Sequence, residues 1–268
     1  MRYKIIAAFF LVVISNSCSS NKYTATNRSY KKQAKTLSKE LRKQPAAVDS
    51  AMMAEQWVGT TNFGLRKPSF VIIHHTAQNS CDQTLYTFTL PRTQVSAHYV
   101  ICKDGTIHHM LNDYLRAWHA GNSKWGNLTD VNSSSIGIEI DNNGFESFTE
   151  AQINSLLQLL KKLKKDNNIP AANFIGHADI APKRKNDPNK NFPWPLLAQH
   201  GFGYWYDTAN VKIPENFNAL QGLRIIGYDT RDSIAAIKAF KLHFVQQDTV
   251  AIINAADKKI IYDLYKKY

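Results

Sequence analysis

One short loop of the chain places a histidine, a lysine and an aspartate close together. His177 follows a glycine, Lys185 comes 8 residues later and Asp187 comes 10 residues later. Imidazole nitrogens and carboxylate oxygens are zinc ligands, and a catalytic zinc site takes three protein ligands while one position stays open. The chain has 9 histidines, and a lone histidine is more often structural than metal-binding. The loop therefore needs another ligand from a distant segment.

A buried strand is predicted at residues 70–74, where the apolar run FVIIH follows Pro68 and a second histidine comes next. Its end offers the missing ligand, either His74 or His75. Successive side chains of a strand point to opposite faces, so only one of the two histidines can enter a given site. The residue pattern alone leaves open which one does.

A second strand, SIGIEID at residues 135–141, carries a carboxylate between isoleucines. Ile136, Ile138 and Ile140 form one face, and Glu139 lies on the other. Burying an unpaired charge is costly, so Glu139 either lies on a half-exposed face or has a task. A carboxylate beside a catalytic metal can take a proton from the attacking water, which makes Glu139 a candidate general base.

The order of predicted elements indicates an α/β (α+β) domain with a central mixed β-sheet flanked by helices. Residues 96–110 predict a β-hairpin with Asp104-Gly105 in the turn. Thr149 and Gln152 predict a capping box at the start of an amphipathic helix. Residues 173–176 predict a further short strand. Helical patterns after residue 207 predict a small three-helix domain at the C-terminus.

The N-terminus has the pattern of an export signal. A basic start precedes apolar residues 5–14, a run shorter than the about 20 residues that a transmembrane helix needs. Cys18 follows small polar residues and resembles the acylation site of bacterial lipoproteins; a plain signal peptide and an uncleaved anchor are the alternatives. We expect a signal at 1–18, a basic flexible tether at 19–56, a catalytic domain at 57–207 and a helical domain at 208–268. A short surface helix at 35–43 would be compatible with the tether.

The net charge of +12 predicts an anionic partner, such as a nucleic acid, a phospholipid surface or a wall polymer. Export of the chain disfavours the nucleic acid. Besides Cys18 the chain contains only Cys81 and Cys102. A disulfide between them is permitted outside the cytoplasm, and two buried thiols are the alternative.

Six motifs, in this order, resemble the zinc-dependent N-acetylmuramoyl-L-alanine amidases of the AmpD/AmiD type over about residues 57–207. They are VIIHHTA, SAHYVICKDG, AWHAGNSKW, SIGIEIDN, GHADIAPKRKNDP and FPWPLLAQHGFGYW. The resemblance implies one Zn²⁺ bound by His74, His177 and Asp187. It also implies that Glu139 is the general base and Lys185 the catalytic cation. The family commonly has tyrosine at the position of His75, which favours His74 as the ligand.

The same motifs imply that His98 and His119 line the substrate groove, and a structural role is the alternative for both. Trp118 is a further candidate substrate contact, by stacking on a sugar face, and a position in the core is its alternative. The implied reaction is zinc-dependent hydrolysis of the amide bond between N-acetylmuramic acid and L-alanine in peptidoglycan or muropeptides. The alternative function is a non-catalytic peptidoglycan recognition module. Residues 208–268 resemble the small peptidoglycan-binding-type domain of the AmiD subgroup.

From the N-terminal pattern we further expect a lipid on Cys18 that attaches the protein to a membrane. The expected location is the cell envelope, facing the periplasm and at the outer membrane. We expect no nucleic acid partner.

Overall fold

The computed structural model describes residues 22–43 and 60–268. Cys18 and the predicted signal lie outside the described residues. The chain divides between Asn62 and Phe63 into two units. In the first unit, helix α1 (Thr24–Glu40) occupies much of the predicted tether and is longer than the short helix considered from the sequence. None of the residues of α1 is buried. Among the described helices, none has both the length and the apolar character that crossing a bilayer requires.

The second unit, residues 63–268, contains a five-stranded sheet and its covering helices. The strands are β1 (Phe70–His75), β2 (Tyr99–Ile101), β3 (Ile107–His109), β4 (Ser135–Ile140) and β5 (Phe174–Gly176). The helices are α2 (Cys81–Thr89), α3 (Val131–Ser134), α4 (Glu150–Asn167), α5 (His177–Ile180), α6 (Trp194–Gln199), α7 (Ala219–Ile226), α8 (Ser233–Phe244) and α9 (Ala255–Tyr265).

The sheet has the strand order β3-β2-β4-β1-β5. Strands β2, β4, β1 and β5 are parallel, and β3 is antiparallel to β2 as the second strand of the predicted hairpin. The expected mixed sheet flanked by helices is therefore confirmed. Since the carboxyl ends of β1, β4 and β5 meet at one edge, residues that follow these strands converge there.

Helices cover both faces of the sheet. Val71 and Ile73 of β1 lie in the core beneath α4, together with Ile136, Ile138 and Ile140. Ile72 points to the opposite face and lies in a core with residues of α7, α8 and α9. The three C-terminal helices thus share a core with the sheet. The domain boundary expected after residue 207 stays a prediction.

Helix α4 begins and ends where the local sequence pattern predicts. Thr149 and Gln152 form the predicted capping box of α4, with the Thr149 side chain accepting from the Gln152 backbone. The left-handed Asn168 ends that helix. The predicted strand at 173–176 is β5, and His177 after it is the first residue of α5, because Asp179 accepts from the Gly176 backbone and starts a helical turn. Cys81 and Cys102 form a disulfide that joins the start of α2 to the end of β2.

Candidate metal centre and active site

Three side chains converge at the carboxyl edge of the sheet. His74 lies near the end of β1, His177 follows β5 and Asp187 returns from the loop after α5. His74 Nδ1 lies 2.9 Å from His177 Nδ1 and 3.1 Å from Asp187 Oδ2. His177 Nδ1 lies 3.0 Å from the same oxygen. Ligand atoms at the corners of a tetrahedron around zinc are about 3.3 Å apart, so this triangle has nearly the right size for the ion.

The hydrogen bond on the far side of His177 leaves its metal-facing nitrogen unprotonated. Nε2 of His177 lies 3.2 Å from the Ala120 carbonyl oxygen, which can only accept. The ring proton is therefore on Nε2, and the lone pair of Nδ1 faces His74 and Asp187. Arg184 also donates to the Ala120 carbonyl and so helps to place it. Such partners of ligand histidines set the tautomer and the ring orientation.

A longer chain of hydrogen bonds orients His74 in the same way. The Ser135 hydroxyl donates to the Val131 carbonyl at 2.6 Å, so its oxygen is free to accept from His119 Nε2 at 3.2 Å. His119 Nδ1 then accepts from His74 Nε2 at 3.1 Å. The lone pair of His74 Nδ1 consequently points at the other two ligand atoms. Gly137 makes room for this arrangement, because a Cβ there would lie 2.4 Å from the His119 ring.

The protonation states of the three ligands suit a cation. Burial, together with the neighbouring His177, lowers the pKa of His74 to about 4, so the ring is neutral. Burial alone would raise the pKa of Asp187, yet the neighbouring rings of His177 and His74 bring that pKa below the usual range. Two imidazole lone pairs and a carboxylate thus face one another across about 3 Å. The donor set fits a zinc ion.

Glu139 lies beside this triangle on the neighbouring strand. β4 pairs with β1 so that Glu139 is opposite His74, and its Oε1 is 3.9 Å from His74 Nδ1. The other carboxylate oxygen, Oε2, is buried and has no hydrogen-bond partner among the described residues. Burial, followed by the charge of Asp187, raises the pKa of Glu139 to about 8. An unpaired carboxylate at this place is available for proton transfer.

Lys185 lies near the same site in the metal-binding loop, residues 177–187. Its side chain is exposed, and its backbone nitrogen donates to the Ala181 carbonyl at 3.0 Å. The ammonium is close enough for its charge to lower the pKa values of both Glu139 and His74. The structure therefore brings the three predicted ligands and Glu139 together, and Lys185 acts on them through its charge.

The three predicted groove residues have different surroundings. Trp118 is 51% exposed and available to a ligand. His119 is buried against His74 and Gly137, as described above. His98 is 0% exposed, with Nδ1 accepting from the Gly137 backbone and Nε2 lying 3.0 Å from the Leu115 carbonyl. Burial leaves His98 no surface for a substrate, and its contacts support a structural role.

His75 points away from the metal ligands, as the alternation of side chains predicts. It is buried on the opposite face of the sheet beside Gly144, where a Cβ would lie 3.2 Å from His75 Nε2. Ser135 and Arg184 support the ligands through His119 and the Ala120 carbonyl, and no signal in the residue pattern identifies either of them.

Comparisons with known proteins all point to one family of enzymes. Residues 64–190 match the model of the N-acetylmuramoyl-L-alanine amidase family. N-acetylmuramoyl-L-alanine amidase AmiD of Escherichia coli (strain K12) is 35% identical over 230 residues, which are 74% of this chain and 82% of AmiD.

Solved structures agree with the sequence match. The complex of E. coli AmiD with the substrate anhydro-N-acetylmuramic acid-L-Ala-D-gamma-Glu-L-Lys has a TM-score of 0.68 at 30% identity, covering 82% of this chain and 96% of that one. AmpDh3 from Pseudomonas aeruginosa, in complex with anhydromuramic pentapeptide, has a TM-score of 0.69 at 28% identity, covering 82% and 99%. The chain therefore belongs to the N-acetylmuramoyl-L-alanine amidases, enzymes that hydrolyse the amide bond between N-acetylmuramic acid and L-alanine.

Proposed function

We propose that the protein is a zinc-dependent amidase of the cell envelope that acts on peptidoglycan or on the muropeptides released from it. The observation that carries the proposal is the triangle of His74, His177 and Asp187 with the unpaired Glu139 carboxylate beside it. Histidine and carboxylate ligands with hydrogen-bonded far sides are typical of catalytic zinc sites. A bound zinc ion supplies Lewis acidity, which polarises the scissile carbonyl and makes a nearby water more acidic.

In the proposed reaction Glu139 moves the protons. Its carboxylate accepts a proton from the water as the water oxygen attacks the amide carbonyl carbon. Glu139 then gives that proton to the leaving nitrogen as the carbon–nitrogen bond breaks, so the products are the lactyl carboxylic acid, which loses its proton to solvent, and the free amine of L-alanine. Such proton transfers are typically worth about 10²–10⁴-fold in rate.

Lys185 supports the same step through charge. Negative charge develops on the carbonyl oxygen when water adds to an amide, and a nearby cation stabilises it. The exposed ammonium of Lys185 can approach this oxygen from the rim of the site. His119 and Ala120 act differently, since they keep the ligand rings oriented and do not contact the reacting atoms.

The substrate class follows from the family and from the solved relatives. E. coli AmiD and AmpDh3 were both captured with anhydromuramic acid peptides. We therefore propose anhydro-muropeptides as the first substrates to test for this chain, beside intact peptidoglycan. Exposed Trp118, next to His119, is the proposed contact for a sugar ring, because aromatic faces pack against apolar surfaces of ligands.

We also propose that a lipid on Cys18 anchors the enzyme at the outer membrane, facing the periplasm. The support is the export pattern of residues 1–18 together with the Cys81–Cys102 disulfide, which oxidising compartments permit. Replacement of Cys18 by serine should move the protein from the membrane fraction to the soluble extracytoplasmic fraction and abolish incorporation of labelled fatty acid. Unchanged membrane association without label would contradict the anchor.

Mass spectrometry of muropeptides tests the catalytic proposal. The enzyme should release free stem peptide from anhydro-muropeptide, a chelator should stop the release, and added zinc should restore it. Measured zinc content of the purified chain should be close to one ion per molecule. Full turnover by protein that is free of metal would contradict zinc dependence, and zinc binding without any product would favour a recognition module.

A further inference from the structure

A second buried cluster lies directly behind the metal-binding loop. Its centre is Asp179, which is 1% exposed and lies two residues after His177. Oδ2 of Asp179 accepts from the Gly176 backbone at 2.7 Å and from His243 Nδ1 at 2.7 Å. Oδ1 accepts from the Tyr228 hydroxyl at 2.7 Å. A buried carboxylate with three donors at this distance is strongly oriented, because loss of any donor would leave buried charge unsatisfied.

Two of these donors come from the C-terminal helices. Tyr228 follows α7 and His243 lies near the end of α8, both beyond residue 190, where the match to the family model ends. Tyr228 is 2% exposed and also packs against Trp125, with ring centroids 5.0 Å apart. The donors are therefore part of the same packed interior as the sheet.

The His243 ring also contacts Trp194, the first residue of α6. It stacks on Trp194 with centroids 3.8 Å apart and an angle of 14° between the planes. Trp194 in turn lies close to Gly176, where an added Cβ would be 3.1 Å from its ring and 2.9 Å from Pro188 Cδ. Gly176 precedes the ligand His177 and Pro188 follows the ligand Asp187, so Trp194, against which His243 stacks, packs where the two ends of the loop meet.

The two ligand positions of the loop are also joined directly. The Ala178 backbone nitrogen donates to the Asp187 carbonyl at 2.8 Å. Asp179 is the next residue, so its orientation determines where this short helix, and with it His177, points. Because a metal centre loses affinity when its ligands are poorly oriented, groups that fix the ligands contribute to metal binding.

We propose that Asp179, Tyr228 and His243 are positioning residues for the metal centre. The C-terminal region therefore supplies side chains that hold the metal-binding loop in place. The inference rests on the proposed metal site. It gives the C-terminal region a role within the catalytic unit that does not require it to bind glycan.

Three variants separate the contributions of the cluster. His243→Phe keeps an aromatic ring against Trp194 but removes the donor to Asp179. His243→Asn places an amide nitrogen near the position of Nδ1 and so keeps the donor. Tyr228→Phe removes only the hydroxyl. Phe240→Leu is the matched control for packing, since Phe240 is a fully buried residue of the same helix as His243 and its ring lies 6.3 Å from that of Tyr228, but its side chain has no donor for Asp179.

Zinc affinity of the full chain, measured by competition with a chromophoric chelator, is the main readout. His243→Phe should weaken binding by about 10–100-fold, the range for partners of metal ligands, and Tyr228→Phe by a smaller factor. His243→Asn should recover most of the affinity. Excess zinc should restore kcat of His243→Phe, and KM should stay unchanged because the cluster does not contact substrate.

Amide hydrogen exchange of the metal-free protein gives a readout that is independent of zinc. Exchange in residues 176–188 should be faster in His243→Phe than in Phe240→Leu at equal thermal stability. Wild-type zinc affinity in both His243→Phe and Tyr228→Phe would overturn the inference while leaving the proposed function intact, and so would an equal loss in Phe240→Leu. A wild-type chain that binds no zinc would overturn the proposed function and this inference together.

Discussion

Two carboxylates of the active site, Glu139 and Asp187, have opposite environments. Asp187 Oδ2 lies 3.0 Å and 3.1 Å from Nδ1 of His177 and His74, and these two rings lower its pKa. Glu139 Oε2, in contrast, has no partner among the described residues, and burial raises the Glu139 pKa to about 8. Such a separation of pKa values assigns different roles to chemically similar groups. A cation at the three ligands would lower the Glu139 pKa again, because positive charge favours the carboxylate.

Replacement of Glu139 by glutamine tests its role as the base. We expect kcat to fall by about 10²–10⁴-fold, because glutamine cannot accept the proton, while zinc content stays unchanged. Steady-state kinetics and metal analysis of the same preparation provide the measurement. Asp141→Asn is the control on the same segment, since Asp141 is buried but contacts none of the metal ligands in the structure. Near-normal turnover of zinc-loaded Glu139→Gln would refute the assignment.

The AWHAGNSKW motif has two explanations that substitutions of His119 can separate. The sequence resemblance implies a substrate contact, whereas its hydrogen bonds to His74 and Ser135 support orientation of a ligand. We expect His119→Phe to weaken zinc binding by about 10–100-fold, with KM unchanged at saturating zinc. His119→Asn should lose less, because its amide oxygen can accept from His74. A raised KM with normal zinc affinity would instead support the substrate contact.

At the level of elements, the parallel strands β1 and β5 bring His74 and His177 together, and the loop after α5 supplies Asp187. Strand alternation alone predicts that only one of His74 and His75 can enter the site, and the pairing of β1 with β4 puts His74 beside Glu139. The short helix α5 was not predictable from local pattern alone, because two of the three donors to Asp179, Tyr228 and His243, lie in distant segments.

The disulfide joins the start of α2 to the end of β2. Cys81 and Cys102 are 21 residues apart, and cross-linking a loop of this length stabilises a fold by about 3 kcal/mol. The double substitution Cys81→Ala with Cys102→Ala should lower the free energy of unfolding by this amount in urea titrations. Reductant should destabilise the wild type and leave the double variant unaffected. Equal urea midpoints for both proteins would contradict a stabilising role for the disulfide.

At the scale of the whole molecule, folding of the catalytic part depends on the core between the sheet and the C-terminal helices. Ile72 and Ile175 of the sheet lie in one cluster with Leu223, Phe240 and Ile261 of the last three helices. Removal of these helices would expose a face of the sheet, and each large apolar side chain exposed costs about 1.5–3 kcal/mol. The covering helices are therefore expected to be needed for folding of the catalytic part.

A chain that ends at residue 207 tests this expectation. We expect the fragment to be unfolded or aggregated at 25 °C, without the near-ultraviolet circular dichroism of packed aromatic residues. The full chain should unfold in one transition, with tryptophan fluorescence and circular dichroism changing together. A soluble fragment with native-like spectra and zinc affinity would show that residues 208–268 are dispensable for the active site.

The sequence by itself determined the chemistry of this protein: which residue types are available, the strands that carry His74 and Glu139, and the family that its six motifs resemble. These features are local, because side-chain alternation, caps and motif spacing are properties of short segments. The tertiary structure alone decided which side chains orient the ligands, why His98 is inaccessible, and how Tyr228 and His243 reach Asp179. Those contacts join segments up to 64 residues apart, and only the packing of helices on the sheet brings such segments within hydrogen-bonding distance.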